Sequence, residues 1–232
     1  MNRREELALN LQEIRSRVAA ACIAADRRPE DVSIITVTKT WPASDIKILA
    51  DLGVHEIGES RDQEAREKFE ELSSLGLRWH FIGQFQTNKA NRIAQYADVV
   101  HSIDRLNAVE ALARAASNVD RTITALVQVS LDQTPTVGRG GASPGEYLKV
   151  ADAIAQSSHL HLGGVMAVAP LGESSDTAFG RLEELAAKFQ AEFPDSKMVS
   201  AGMSDDLVEA VAHGATHLRI GSAIMGSRSY VQ

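Results

Sequence analysis

Along this chain the hydrophobic positions change their period after the first helix-length segment. Leu7, Leu11, Ile14, Val18 and Ala21 recur every three or four residues with charged side chains between them. That spacing predicts an amphipathic helix, with Arg27-Arg28-Pro29 as its stop. Beyond it, short runs rich in β-branched residues alternate with helix-period stretches. The runs predict strands at 32–38, 55–57, 78–82, 98–103, 122–129, 161–168, 197–200 and 217–220, with helices at 45–52, 63–72, 89–96, 106–116, 147–156, 177–193 and 205–213. Strands and helices in strict alternation imply α/β architecture. Their number and the chain length predict one domain, a (β/α)8 TIM-type barrel over 32–232 with an extra N-terminal helix within 1–28. A doubly wound open sheet is the alternative.

Composition narrows the classes of partner. The 232 residues carry 24 basic and 31 acidic side chains, a formal charge of -7, with no arginine- or lysine-rich block. A nucleic-acid partner is therefore not expected. The single cysteine, Cys22, has no partner for an internal disulfide and sits in an alanine-rich helical stretch, where it reads as a small buried hydrophobe. No run approaches the roughly 18 apolar residues of a membrane span, and the N-terminus has no signal-peptide core. A reducing cytoplasm is the expected location.

Chemistry is suggested first by Lys39, at the end of the first apolar run and just before a turn into a helix. A lysine closing a buried strand, in dehydrated surroundings, favours the neutral amine that attacks carbonyls and makes Schiff bases. The second candidate region is Ser200-Ala201-Gly202-Met203-Ser204-Asp205-Asp206 together with Arg219-Ile220-Gly221-Ser222-Ala223. Loops after the last two strands of such barrels frequently bind phosphate through unpaired amides at a helix start. Gly221 permits close backbone approach, and Ser204 and Ser222 offer hydroxyls, a role compatible with capping a helix. Arg219 is a permanent cation inside an apolar strand. It calls for either a core carboxylate or an acceptor on a ligand, such as a pyridine nitrogen. An amine after strand one, a phosphate cradle after strands seven and eight, and an arginine between them converge when a barrel closes. Together they suit pyridoxal 5′-phosphate (PLP).

Other residues are less decisive. Met166 ends predicted strand six, either beside the cofactor ring or as an ordinary core methionine. His80 and His101 lie near strand termini, where they either rim the pocket or make structural hydrogen bonds. His159 and His161 lack a third metal ligand in context, so no metal is expected. The glycine-rich loop 133–141 reads as an ordinary connection or as a flap over the pocket.

The runs Thr36-Val37-Thr38-Lys39-Thr40, Trp79-His80-Phe81-Ile82-Gly83-Gln84, His101-Ser102-Ile103-Asp104, Gly202-Met203-Ser204-Asp205-Asp206 and Arg219-Ile220-Gly221-Ser222 resemble the pyridoxal phosphate homeostasis proteins. That family is similar to the N-terminal barrel of alanine racemase, of fold-type III. The resemblance spans nearly the whole chain. It implies that Lys39 carries PLP as an internal aldimine, that Arg219 meets the pyridine nitrogen, and that Ser204, Gly221 and Ser222 hold the phosphate. Where the family usually has Gly-Glu-Asn-Tyr, this chain has Gly58-Glu59-Ser60-Arg61, so Ser60 offers a hydroxyl in place of an amide at the cofactor. The loop after strand five has Val137-Gly138-Arg139-Gly140-Gly141 where the family often has Lys-x-Gly.

Two functions follow. One is reversible holding of PLP for buffering, or for delivery to PLP-dependent apo-enzymes, without a dedicated reaction. The other is amino-acid racemisation, which needs acid and base groups on both faces of the α-carbon. The resembling racemases take the second group from a tyrosine of a partner's β-rich domain. Here Tyr96, Tyr147 and Tyr230 fall on predicted outer helices or the tail. Without a swapped second domain, a monomer is expected. A cofactor-free barrel with Lys39 in a structural ion pair is the third class.

Overall fold

The structure is a computed structural model and describes residues 1–132 and 140–226. Eight strands form a closed parallel barrel: β1 (Ser33–Val37), β2 (Glu56–Glu59), β3 (Arg78–Phe81), β4 (Val99–Ile103), β5 (Ile123–Gln128), β6 (Leu160–Met166), β7 (Met198–Ser200) and β8 (His217–Ile220). Between them run α2 (Ala43–Asp51), α3 (Asp62–Leu72), α4 (Ala90–Tyr96), α5 (Leu106–Asn118), α6 (Tyr147–Ala155), α7 (Ser175–Glu192) and α8 (Leu207–Ala212). In front stands α1 (Arg3–Ala24), and a short α9 (Ser222–Met225) follows β8. The barrel expectation is correct, and the open sheet is excluded by the β1–β8 pairing, Ser33 opposite His217 through Thr36 opposite Ile220.

Each element forms for a legible local reason. Asn2 caps α1 in a capping box, its side chain accepting from the Glu5 N–H while Glu5 reaches back to the Asn2 N–H. The predicted stripe Leu7, Leu11, Ile14, Val18, Ala21 is the buried face of this helix, joined by Cys22. In the strands the period is two. Trp79 and Phe81 enter the core between barrel and helices, so the intervening His80 projects into the barrel. A separate small cluster of Val99, Leu126 and Met166 packs with Val168 and Met198.

Differences from the sequence reading are mostly at ends. β1 stops at Val37, before the predicted 38. β2 extends through Gly58, where an added Cβ would lie 3.0 Å from the Ile35 side chain. α8 begins at Leu207 because residues 203–206 form a turn in which the Met203 N–H donates to Asp206 Oδ1 at 2.6 Å. α9 is an element the sequence reading did not include. Gly202 is required as glycine: its φ is +88°, and a Cβ there would fall 2.5 Å from that of Ala210. Residues 133–139 of the glycine-rich loop, and Tyr230, lie outside the described residues. Among the described residues, no helix is long and apolar enough to cross a membrane.

Candidate functional site

The C-terminal ends of the strands carry the singled-out residues, beginning with the turn after β1. The Trp41 N–H donates to the Thr38 carbonyl at 3.0 Å, and Thr40 takes a positive φ of 71°. Lys39 sits at the crest of this turn, and here the structure corrects the sequence reading. Lys39 is exposed, two residues past the last residue of β1, and dehydrated surroundings do not surround it. Among the described residues its Nζ makes no hydrogen bond or ion pair, so the structural ion-pair alternative is not observed.

The backbone around Lys39 is instead held by a different amine. Lys68 on α3, nearly fully buried, donates to the Thr38 carbonyl at 2.9 Å, to Glu59 Oε1 at 2.6 Å and to Glu64 Oε1 at 2.6 Å. Glu64 in turn accepts the Thr40 N–H, and the Thr38 hydroxyl donates to Glu59 Oε1 at 2.7 Å. Both peptide groups flanking Lys39 are thereby fixed. Burial pushes the Glu59 carboxyl up from its ordinary value, against the pull of Lys68 and Thr38.

Next to this turn lies the start of α9. The β1–β8 register brings Gly221 against Val37, where an added Cβ would meet Val37 Cβ at 3.4 Å and its carbonyl oxygen at 3.6 Å. Ser222 Oγ donates to Ser204 Oγ at 3.3 Å, and the Ala223 N–H reaches the same oxygen at 3.4 Å. Arg17 from α1 fixes the loop by donating to the Ser204 carbonyl at 3.0 Å. Ser204 thus caps α9 and not the helix that follows it in sequence. Asp206 stands at the N-cap position of α8, its carboxylate engaged by the Met203 N–H.

Arg219 is buried and, among the described residues, touches no carboxylate. NH1 donates to the Ser200 carbonyl at 2.8 Å and to Ser200 Oγ at 2.7 Å, and NH2 donates to the Ala167 carbonyl at 2.9 Å. Burial lowers the guanidinium pKa to about 10, against the pull of Asp206, which leaves it charged at neutral pH. A guanidinium has five N–H donors. Three have partners here, and Nε–H and the second NH2 hydrogen have none among the described residues.

Met166 is buried opposite Ser200 in the β6–β7 register, one residue before the carbonyl that Arg219 holds. It belongs to the Val99 and Leu126 cluster, so its core role is observed. Ser60 follows β2 half-buried, with its backbone packed so tightly on Gly83 that a Cβ there would fall 2.3 Å from the Ser60 oxygen. Its hydroxyl has no hydrogen bond among the described residues. The structure therefore gathers Lys39, Gly221, Ser204 and Ser222 at the seam of β1 and β8. Arg219 reaches the ends of β6 and β7 through Ala167 and Ser200, Met166 on β6 precedes Ala167, and Ser60 lies at the end of β2.

His80 and His101 do not rim the mouth. Both are fully buried inside the barrel, where His80 Nδ1 meets His101 Nε2 at 2.9 Å, His101 Nδ1 meets Ser200 Oγ at 3.0 Å, and His80 Nε2 meets Glu56 Oε2. Burial holds both imidazoles below their ordinary pKa, His101 well below it. Neither this chain of groups nor the Lys68 clamp was found from sequence. The available signals were Glu59 beside Gly58 in the family-like run, and two histidines on adjacent strands with inward parity.

Comparison with known proteins gives the lineage. The family model described as the alanine racemase N-terminal domain matches residues 6–229. The pyridoxal phosphate homeostasis protein of Mycobacterium bovis is 38% identical over 246 residues, covering 98% of this chain and 95% of the relative. That of Escherichia coli K12 is 35% identical over 232 residues, covering 97% and 98%. Among solved structures, PipY of Synechococcus elongatus PCC7942 with PLP bound superposes with a TM-score of 0.82 at 31% identity, over 95% of this chain and 100% of PipY. The inward arginine, the exposed lysine turn and the serine-rich helix start thus stand on the barrel of a recognised lineage: the chain belongs to the pyridoxal phosphate homeostasis proteins.

Proposed function

We propose that this protein holds PLP reversibly in intracellular vitamin B6 homeostasis and carries out no dedicated reaction on a substrate. The observation that carries the proposal is the convergence of an exposed lysine amine, unpartnered among the described residues, with two hydroxyls at a helix start across one strand seam. A buried arginine with unspent donors stands below them.

The donor set fits the cofactor. Ser204 Oγ, Ser222 Oγ and the amides at the start of α9, beside Gly221, are suited to an anionic oxygen, and Asp206 is turned onto Met203. When bound, PLP supplies an aldehyde that reacts with a primary amine, a phosphate anion and an electron-poor pyridine ring. Lys39 Nζ is the proposed point of covalent attachment, with the Lys68 clamp presenting it. Arg219 donates to the ring nitrogen and, being always charged, keeps that nitrogen unprotonated, which weakens the ring as an electron sink. Met166 and Ser60 border the ring. The whole chain acts as one cofactor-binding barrel domain.

Racemisation is the competing reading, and the two tyrosines among the described residues speak against it. Tyr96 and Tyr147 are buried on α4 and α6, outside the barrel, where neither can place an acid over the face opposite Lys39. We further infer that the protein works as a monomer in the cytoplasm and that PLP-dependent apo-enzymes receive its cofactor. The test is absorption with and without added PLP, followed by incubation of the loaded protein with L-alanine in deuterium oxide. A visible band without α-proton exchange is expected. Rapid exchange with D-alanine formation would replace this reading by the racemase, and a protein that stays colourless would remove both.

A further inference from the structure

We propose that Glu56, His80, His101 and Ser200 form a one-way hydrogen-bonded relay. It ties the Arg219 guanidinium to a carboxylate at the other end of the barrel, and makes these four the positioning residues for the arginine's contact with a bound ring nitrogen. The role toward the ring nitrogen rests on the function proposed above. The relay itself does not.

The direction of the relay follows from what each atom is able to do. A guanidinium only donates, so Ser200 Oγ receives the 2.7 Å bond from Arg219 and must send its own proton onward. The acceptor in reach is His101 Nδ1, at 3.0 Å. A neutral His101 that accepts at Nδ1 carries its proton on Nε2, and that atom faces His80 Nδ1 at 2.9 Å. By the same step His80 accepts at Nδ1 and donates from Nε2 to Glu56 Oε2. Every donor then meets an acceptor, and both imidazoles are neutral Nε2–H tautomers. Reversing the order would bring two donors onto Ser200 Oγ, strand its hydroxyl proton and require a protonated Glu56.

The surroundings favour this assignment. His80, His101 and Ser200 are completely buried, where a protonated imidazole would be costly and would break the relay by donating from both nitrogens. Burial opposes ionisation of Glu56, yet the His80 hydrogen bond and Arg78 hold its carboxyl below the usual range. The other charged or titratable groups facing this interior are Arg78 on β3, 3.8 Å from Glu56, His217 on β8, and Asp98 ahead of β4. Arg219, with no carboxylate at contact distance among the described residues, therefore has its counter-charge delivered through polarised hydrogen bonds.

The test begins without cofactor. In uniformly 15N-labelled apoprotein, His80 and His101 should each show a pyrrole-type Nε2 and a pyridine-type Nδ1, unchanged between pH 5.5 and 8. A pyrrole-type Nδ1 on either ring, or titration in that window, would overturn the relay. With PLP added, Ser200→Ala should move the visible band and weaken binding about tenfold, the equivalent of one lost hydrogen bond. Ser200→Thr, which keeps the hydroxyl, should restore both. An unchanged band and affinity in a folded Ser200→Ala protein would overturn the positioning role. Wild-type protein that shows these tautomers but binds no PLP would establish the relay and overturn the cofactor reading, so the two failures are distinguishable.

Discussion

Two buried cations in this barrel are treated in opposite ways. Lys68, between β2 and α3, is neutralised by direct contact with Glu59 and Glu64, and its third hydrogen bond locks a backbone carbonyl. Arg219, inside the barrel, contacts backbone carbonyls and a serine, and its nearest linked carboxylate is four hydrogen bonds away. Complete pairing leaves Lys68 nothing to offer a ligand, which marks it as structural. Incomplete pairing among the described residues leaves Arg219 with donors to spend, which marks it for recognition. Lys39, exposed and unpaired among the described residues, takes this further: it contributes least to the fold and most to the proposed function.

Substitutions at these sites should therefore rank in one order for stability and in another for PLP binding. Lys68→Met should cost most, about 3 to 5 kcal/mol in urea unfolding, because it strands the buried Glu59 without a counter-charge. A loss below about 1 kcal/mol would show that Glu59 protonates freely and that the clamp is weak. Arg219→Met should cost about 1 to 3 kcal/mol, since it strands the buried Ala167 carbonyl and takes from Ser200 Oγ its charged donor, while the Ser200 carbonyl keeps the Ala167 N–H. It should also alter the visible band of the loaded protein; an unaltered band would assign Arg219 a purely structural role.

The interior histidines add a pH signature. His80, His101 and His217 all resist protonation in the fold, the last down to about 4, whereas in the unfolded chain they protonate near about 6.5. Below that pH the unfolded state binds more protons, so stability should fall as pH falls from about 6.5, by up to about 1.4 kcal/mol per pH unit for each histidine that stays neutral in the fold. His213, held by Glu183 and Asp176 at the surface, is shifted upward and contributes with opposite sign, its stabilisation fading as pH rises. Melting temperature measured from pH 8 to 5 checks the balance, and His101→Gln should flatten the slope. The smallest effect belongs to Lys39→Ala, within about 0.5 kcal/mol of wild type, as expected for an exposed side chain without partners among the described residues.

Much of this was legible from the chain alone, for identifiable reasons. The strands declared themselves through β-branched runs at regular spacing, and α1 through its stripe from Leu7 to Ala21. The β1–β8 seam followed from closing the barrel, which is why Lys39, Gly221 and Ser222 could be brought together. Burial of single side chains was not legible. Lys68 sits in the charge-rich run Glu64-Ala65-Arg66-Glu67-Lys68, where nothing local distinguishes it from its solvated neighbours. The exposure of Lys39 is illegible for the same reason, because the run before it is apolar and the turn that lifts it into solvent is a tertiary feature held by Lys68 and Glu64. The partners of the relay lie 21 and 99 residues apart in sequence, and only strand parity in a closed barrel brings them into line.

The central claim concerns which amine carries the cofactor. Protein loaded with PLP, reduced with borohydride and digested, should yield a pyridoxyl-labelled peptide with the modification on Lys39, and Lys39→Ala should yield none. A label on Lys68 or on a surface lysine, or a label that persists in Lys39→Ala, would contradict the account.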